Sequence, residues 1–145
     1  MKVTLFALVV GLLMVGCGSL DVDDPETLDK ILAEAIDEDK LRVRGKEGEE
    51  LYYAPNKHTP YTGWSKIIYE NGQVEVLSQL KDGKLDGLYT RWYDNGQKSS
   101  ERNYKDGKKD GRSINWEWNG HKFKEQTYKD GKHWMEILIH HGQTM

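Results

Sequence analysis

The sequence predicts a mainly β protein: a single-layer, twisted antiparallel meander of tandem 24-residue hairpin repeats, with one short helix ahead of it. Three observations predict it. Asn-Gly pairs recur at Asn71-Gly72, Asn95-Gly96 and Asn119-Gly120, and Lys-Asp-Gly triplets recur at residues 81–83, 105–107 and 129–131, both at a spacing of 24. Asn-Gly and Asp-Gly each suit a two-residue type I′ turn, whose central positions both need φ > 0, so every period carries two chain reversals. Hydrophobic residues make up only 37% of the chain against 31% charged, too little for a thick two-layer core, so the five Trp and eight Tyr must carry much of the burial.

The first element is a leader. Met1-Lys2 gives a short positive start, residues 3–15 are apolar, and Met14-Val15-Gly16-Cys17 places a small residue directly before the only cysteine. This pattern resembles a bacterial lipobox. The apolar run is too short to span a bilayer, which takes about 20 helical residues. A lipoprotein signal peptide is therefore expected over residues 1–16, with lipidation of Cys17 and attachment to a membrane through several acyl chains. Gly18-Ser19 behind it carries no acid, which points to the cell envelope, and to the outer membrane where the host has one. The body that follows has no thiol, so neither a disulfide nor a thiolate metal site is expected.

Residues 17–40 read as an acidic tether and amphipathic helix, and residues 41–145 as the hairpin repeat domain. Nine acids against two lysines give residues 18–40 a charge of −7, while 15 acids against 18 Lys and Arg give residues 41–145 a charge of +3. Acids interleave the basic residues throughout the repeats, so the footprint of a nucleic-acid partner is missing and none is expected. Asp24 suits an N-cap and Pro25 the first helical position. Leu28, Ile31, Leu32, Ala35 and Ile36 follow at helical spacing. That apolar stripe is expected to pack on the first strands and to cover the open edge of the sheet. Residues 41–44 and 51–53 read as a short leading hairpin around residues 45–48, and residues 54–60 as a loop with two prolines.

The repeats proper start at Tyr61. Gly63, Gly87 and Gly111 fall in register, as do Ile68, Trp92 and Trp116, and Leu80, Tyr104 and Tyr128. Strand alternation then gathers Trp64, Leu77, Leu88, Trp92, Ile114 and Trp116 on one face, with Ile68, Phe123, Trp134 and Leu138. The other face carries Tyr69, Tyr89, Arg91, Tyr93, Arg102, Tyr104 and Tyr128, with Met135, Ile137 and Ile139. Two-residue turns at both dipeptides set Trp92 opposite Ser99, Trp116 opposite Gln97, Glu101 opposite Arg112 and Glu125 opposite Glu136. In the last period two residues are expected to be missing, which keeps the terminal strand in phase.

Residues 87–98, GLYTRWYDNGQK, and 103–111, NYKDGKKDG, resemble the bacterial MORN-repeat variant found in lipoproteins often labelled YwqK-type antitoxins. The resemblance covers about residues 61–143 and implies a MORN-like hairpin array. For function it implies membrane association, scaffolding and protein contacts, with no catalytic activity to carry over; the antitoxin label implies a neutraliser of a partner toxin. Arg112 and Trp118 depart from the pattern, which implies an irregular or more exposed third repeat.

Candidate sites are few. His133 and His141 share a face but lie about 26 Å apart along one strand, too far to share an ion, and His140 points the other way. Glu75, Glu101 and Glu125 recur on the Trp face and mimic the paired carboxylates of a hydrolase, although cross-strand charge pairs explain them more simply. No cofactor is expected. Exposed Tyr and Arg are the residues that recognition surfaces use, which marks Tyr89, Arg91, Tyr93, Arg102, Tyr104 and Tyr128 as a binding face. The function expected is a non-catalytic binding or scaffolding module with a protein or glycan partner. An antitoxin-like role and a hydrolase on the sheet face are the alternatives.

Overall fold

The computed structural model of the chain describes residues 21–138. The predicted helix is present as α1 (Pro25–Glu34), with Asp24 accepting from Thr27 N at 2.8 Å and Pro25 in the first turn. Next come β1 (Ile36–Asp37), a 3-10 turn over Glu38–Lys40, and the predicted leading hairpin, β2 (Arg42–Arg44) with β3 (Leu51–Tyr53). The repeats form β4 (Gly63–Ile68), β5 (Val74–Lys81), β6 (Lys84–Trp92), β7 (Lys98–Lys105), β8 (Lys108–Trp116), β9 (Lys122–Lys129) and β10 (Lys132–Leu138). Together with β1 they make one eight-stranded sheet in the order β1-β4-β5-β6-β7-β8-β9-β10. All neighbours are antiparallel except β1 and β4, which run parallel. The fold class read from the sequence is thus the fold of the protein: a meander of consecutive hairpins with one short helix.

The two kinds of turn differ. At Asp82-Gly83, Asp106-Gly107 and Asp130-Gly131 both residues have positive φ, 48–49° for the Asp and 77–79° for the Gly, as a type I′ turn requires. At the Asn-Gly pairs only the glycine is left-handed (φ 82–85°). Tyr93 N bonds Gln97 O at 2.8 Å and Gly96 N bonds Tyr93 O at 3.0 Å, so the loop has three residues. The cause is the Asn side chain. Asn95 Oδ1 accepts from Gln97 N at 3.0 Å, and Asn71 and Asn119 do the same for Gln73 and His121, which holds the Asn in a local turn and leaves the reversal to Gly.

That extra residue changes the expected register only beside the turn, and a bulge restores it from Arg91 onward. Trp92 stands opposite Lys98, not Ser99, and Trp116 opposite Lys122. In the Asp-Gly hairpins the shift comes instead from bulges, between Arg102 and Tyr104 and between His133 and Met135: Glu101 stands opposite Ile114, not Arg112, and Glu125 opposite Ile137, so the like-charge pair of Glu125 with Glu136 does not form. The terminal strand is also corrected. Glu136 pairs with Gln126 as Tyr89 pairs with Ser78. It follows its turn lysine, Lys132, by four residues, whereas Tyr89 follows Lys84 by five. One residue is missing, not two, and an odd deletion reverses the alternation. Met135 and Ile137 therefore share the rows of Thr127 and Glu125, and Leu138 pairs with Lys124. Ile139 lies outside the described residues.

Each repeat is stitched to the next by hydrogen bonds that recur every period. Tyr69 Oη donates to Trp92 O and Tyr93 Oη to Trp116 O, both at 2.9 Å. Asn71 Nδ2 donates to Asp94 O and Asn95 Nδ2 to Trp118 O, both at 3.1 Å. On the opposite side, Gly107 N bonds Leu85 O and Gly131 N bonds Lys109 O, both at 2.8 Å. The third repeat accepts these bonds but departs from the pattern: Glu117 stands where Tyr69 and Tyr93 do, Asn119 Nδ2 donates to Glu117 Oε2 at 3.4 Å, and Trp118 is 55% exposed, against the Tyr93 ring.

The core lies on the helix side of the first two repeats, where Ile31, Ala35 and Val22 pack on Leu77 and Trp92, with Leu28, Leu32, Trp64, Val74 and Leu88 around them. Helix α1 therefore covers a face. The edge is covered by β1, where Ile36 pairs with Ser65 and Asp37 with Lys66. Lys66 Nζ, from the edge strand, donates to Leu32 O at 2.7 Å and satisfies a carbonyl in the last turn of the helix.

Candidate functional site

The face away from the helix carries the tyrosines. One cross-strand row runs Ser65, Ser78, Tyr89, Arg102, Ser113, Gln126 and Glu136. The next pairs Gly87 with Tyr104 and Tyr104 with Lys109, then Gly111 with Tyr128 and Tyr128 with His133. Each of these tyrosines thus faces a glycine on one neighbouring strand, a cross-strand arrangement in which the ring has room to lie over bare backbone. Small serines fill the floor: Ser78, Ser100 and Ser113 are all buried, and Ser65 and Ser78 share a hydrogen bond of 2.7 Å.

Of the six residues expected to form a binding face, four stay together. Tyr89 and Tyr104 meet edge to face at 5.9 Å, and the Arg102 guanidinium lies 5.8 Å from the Tyr89 ring centre. Tyr128 continues the row, with His133 at its edge at 5.6 Å. Two of the six do other work. Arg91 is bound to Glu75 at 2.7 Å, and the Tyr93 hydroxyl is spent on the stitch to Trp116. Both still line a shallow groove of about 420 Å³ with Tyr69, Ser100, Arg102 and Asn115.

Sequence reasoning missed Lys109, whose ammonium lies 4.8 Å from the Tyr128 ring centre. The signal was present, because a two-residue turn at Asp106-Gly107 places Lys109 opposite Tyr104. Burial lowers the Lys109 pKa, and the neighbouring positive charge of Arg102 lowers it further. Burial likewise raises the Tyr104 hydroxyl. Among the described residues no carboxylate pairs with Arg102 or Lys109, so this face holds two half-buried, neighbouring cations that lie over aromatic rings.

The three glutamates do not converge. Glu75 binds Arg91, Glu101 binds Lys98 at 2.6 Å, and Glu125 binds Arg112 at 2.8 Å. The Arg112 hydrogen bond holds the Glu125 carboxyl below its ordinary range, the reverse of the raised pKa that a general acid needs. His133 Nε2 lies 3.7 Å from Glu136, and His140 and His141 fall outside the described residues. Among the described residues, no group of three His, Cys, Asp or Glu is placed to hold a metal ion, and no helix is long and apolar enough to cross a membrane. Cys17 also lies outside them. Comparison of the chain with known protein families, characterised proteins and solved structures finds no match.

Proposed function

We propose that the protein is an exported lipoprotein, anchored through acylated Cys17, whose repeat sheet acts as a non-catalytic binding or scaffolding module in the cell envelope. The observation that carries the binding role is the tyrosine face: Tyr89, Tyr104 and Tyr128 on one side of the sheet, with Arg102 over the Tyr89 ring and Lys109 over the Tyr128 ring, both cations free of carboxylate partners among the described residues. Aromatic rings with unneutralised cations are the residues on which recognition surfaces depend. The resemblance of residues 61–143 to bacterial MORN-repeat lipoproteins supports the same reading, as does the lipobox-like run before Cys17.

The anchor also sets the geometry of the proposal. Val22 is buried against the sheet and Asp23 is bound to Lys98. Only three residues lie between Cys17 and Asp21, four steps of chain that span at most about 14 Å. A lipid on Cys17 therefore holds the sheet at the membrane surface and not at the end of a long tether. The test is fractionation of cells expressing the wild type and Cys17→Ala. The wild type is expected in the membrane fraction and the variant in the soluble fraction; equal partition of the two would refute the anchor.

A further inference from the structure

The cation pair on the tyrosine face differs from the other basic residues of the sheet. The other half-buried ones are each satisfied, Lys98, Lys122 and Lys124 by a carboxylate and Lys66 by Leu32 O. The exposed Arg91, Arg112 and Lys129 are paired with acids as well, while the remaining lysines of the sheet stand exposed to solvent. Arg102 and Lys109 are half-buried on adjacent strands, close enough for one charge to act on the other, and neither is paired with an acid among the described residues. Two like charges held together at a surface are unfavourable until an anion joins them. Burial and Arg102 both depress the ammonium of Lys109, and a bound anion would reverse that.

The flanking groups say what kind of anion. Tyr104 and Tyr128 occupy the same place in successive repeats, two strands apart, which is about 9.5 Å at the usual strand spacing. That distance is comparable to the repeat of a disaccharide. Tyr rings stack on the flat C–H face of a sugar, which an acidic peptide does not offer, and Ser and Asn beside the groove supply neutral partners for hydroxyl groups. Resting on the binding-module reading above, we propose that the tyrosine face binds an acidic saccharide chain: its carboxylate or phosphate sits between Arg102 and Lys109 while its rings lie on Tyr104 and Tyr128.

The test uses the full-length chain in detergent, titrated calorimetrically with oligogalacturonate, a sugar-phosphate oligomer, a neutral chito-oligosaccharide, inorganic phosphate and an oligoglutamate of matched charge. At least one acidic oligosaccharide is expected to bind saturably, and more tightly than the neutral sugar, phosphate or oligoglutamate. Arg102→Gln and Lys109→Gln should each weaken it on the order of ten-fold, the loss of one charge-assisted contact. Lys109→Arg should retain binding, and thermal melts should show all three variants folded. Saturable binding by neither acidic oligosaccharide, equal binding of oligoglutamate, or unchanged affinity in both Gln variants would overturn the proposal. Such a failure with Cys17-dependent membrane localisation and in-cell cross-linking from the tyrosine face intact would remove the saccharide assignment alone and leave the binding module standing.

Discussion

The Lys98 ammonium lies 2.7 Å from the Asp23 carboxylate and joins the segment ahead of the helix to the middle of the sheet. On its other side it meets Glu101 at 2.6 Å, and its side chain is only 13% exposed. Burial disfavours the charge, but the hydrogen bonds to Asp23 and Glu101 outweigh it and raise the Lys98 pKa above the ordinary 10.5. A raised folded-state pKa contributes stability that is complete below the unfolded value and is lost as pH rises through the folded one. Lys98→Met should therefore cost about 1–3 kcal/mol at pH 7 in urea unfolding. The difference from wild type should hold through neutral pH and shrink above pH 10.5. A difference that shrank on acidification from pH 7 to 6 would contradict the assignment.

Thr90 is fully buried between Leu77 and Glu101 in its row, and its hydroxyl oxygen has no hydrogen-bond partner. An unsatisfied buried polar group costs about 1–3 kcal/mol, and Val keeps the same branched shape. Thr90→Val should raise the midpoint of urea unfolding, by about 1 kcal/mol. A destabilised variant would show that the hydroxyl has a partner in solution.

Much of this architecture was legible in the sequence because it is written in turn residues. Asp106-Gly107 needs two positive φ values, so the hairpin, its partner pair Tyr104 and Lys109, and the helix start at Asp24-Pro25 all follow from local chemistry. The register at the other turns was not legible. Asn95 folds its side chain onto Gln97 N, and this one contact adds a loop residue that sets Trp92 opposite Lys98, while a bulge between Arg102 and Tyr104 moves Glu101 from Arg112 to Ile114. The phase of β10 depends on whether one or two residues are missing before Glu136, which only pairing with β9 settles. At the candidate site the residue types were visible, but not which were already engaged. Arg91 belongs to Glu75, and Tyr93 to the backbone of the next repeat.

That stitching role is testable. Tyr69→Phe and Tyr93→Phe each remove one donor from a backbone carbonyl and should each cost about 1 kcal/mol. Because contacts in a repeat array run between neighbours, Tyr93→Phe should speed amide exchange mainly in β8 and β9, and Tyr69→Phe mainly in β6 and β7. Identical exchange changes in the two variants would show that the stitches are not local.

The glycines separate into two classes. A Cβ at Gly83 (φ 77°) would meet Leu51 Cβ at 2.9 Å, Pro60 Cβ at 3.0 Å and Tyr52 O at 3.0 Å, whereas a Cβ at Gly72 (φ 85°) meets nothing within 4 Å. Gly72→Ala should cost only the strain of a left-handed residue, about 1–2 kcal/mol. Gly83→Ala should cost clearly more and loosen the β2–β3 hairpin, which is held by Tyr52 N to Gly83 O at 3.0 Å. Equal unfolding midpoints for the two variants would refute the close approach.

The central claim is that the tyrosine face is the surface through which the anchored protein meets its ligand. A photo-cross-linking amino acid placed at Tyr104, on that face, and separately at Asn103, which points to the helix side, tests it in intact cells. Adducts that depend on light should form from position 104 and be absent or much weaker from position 103. Adducts from position 103 alone, or from neither position, would contradict the account.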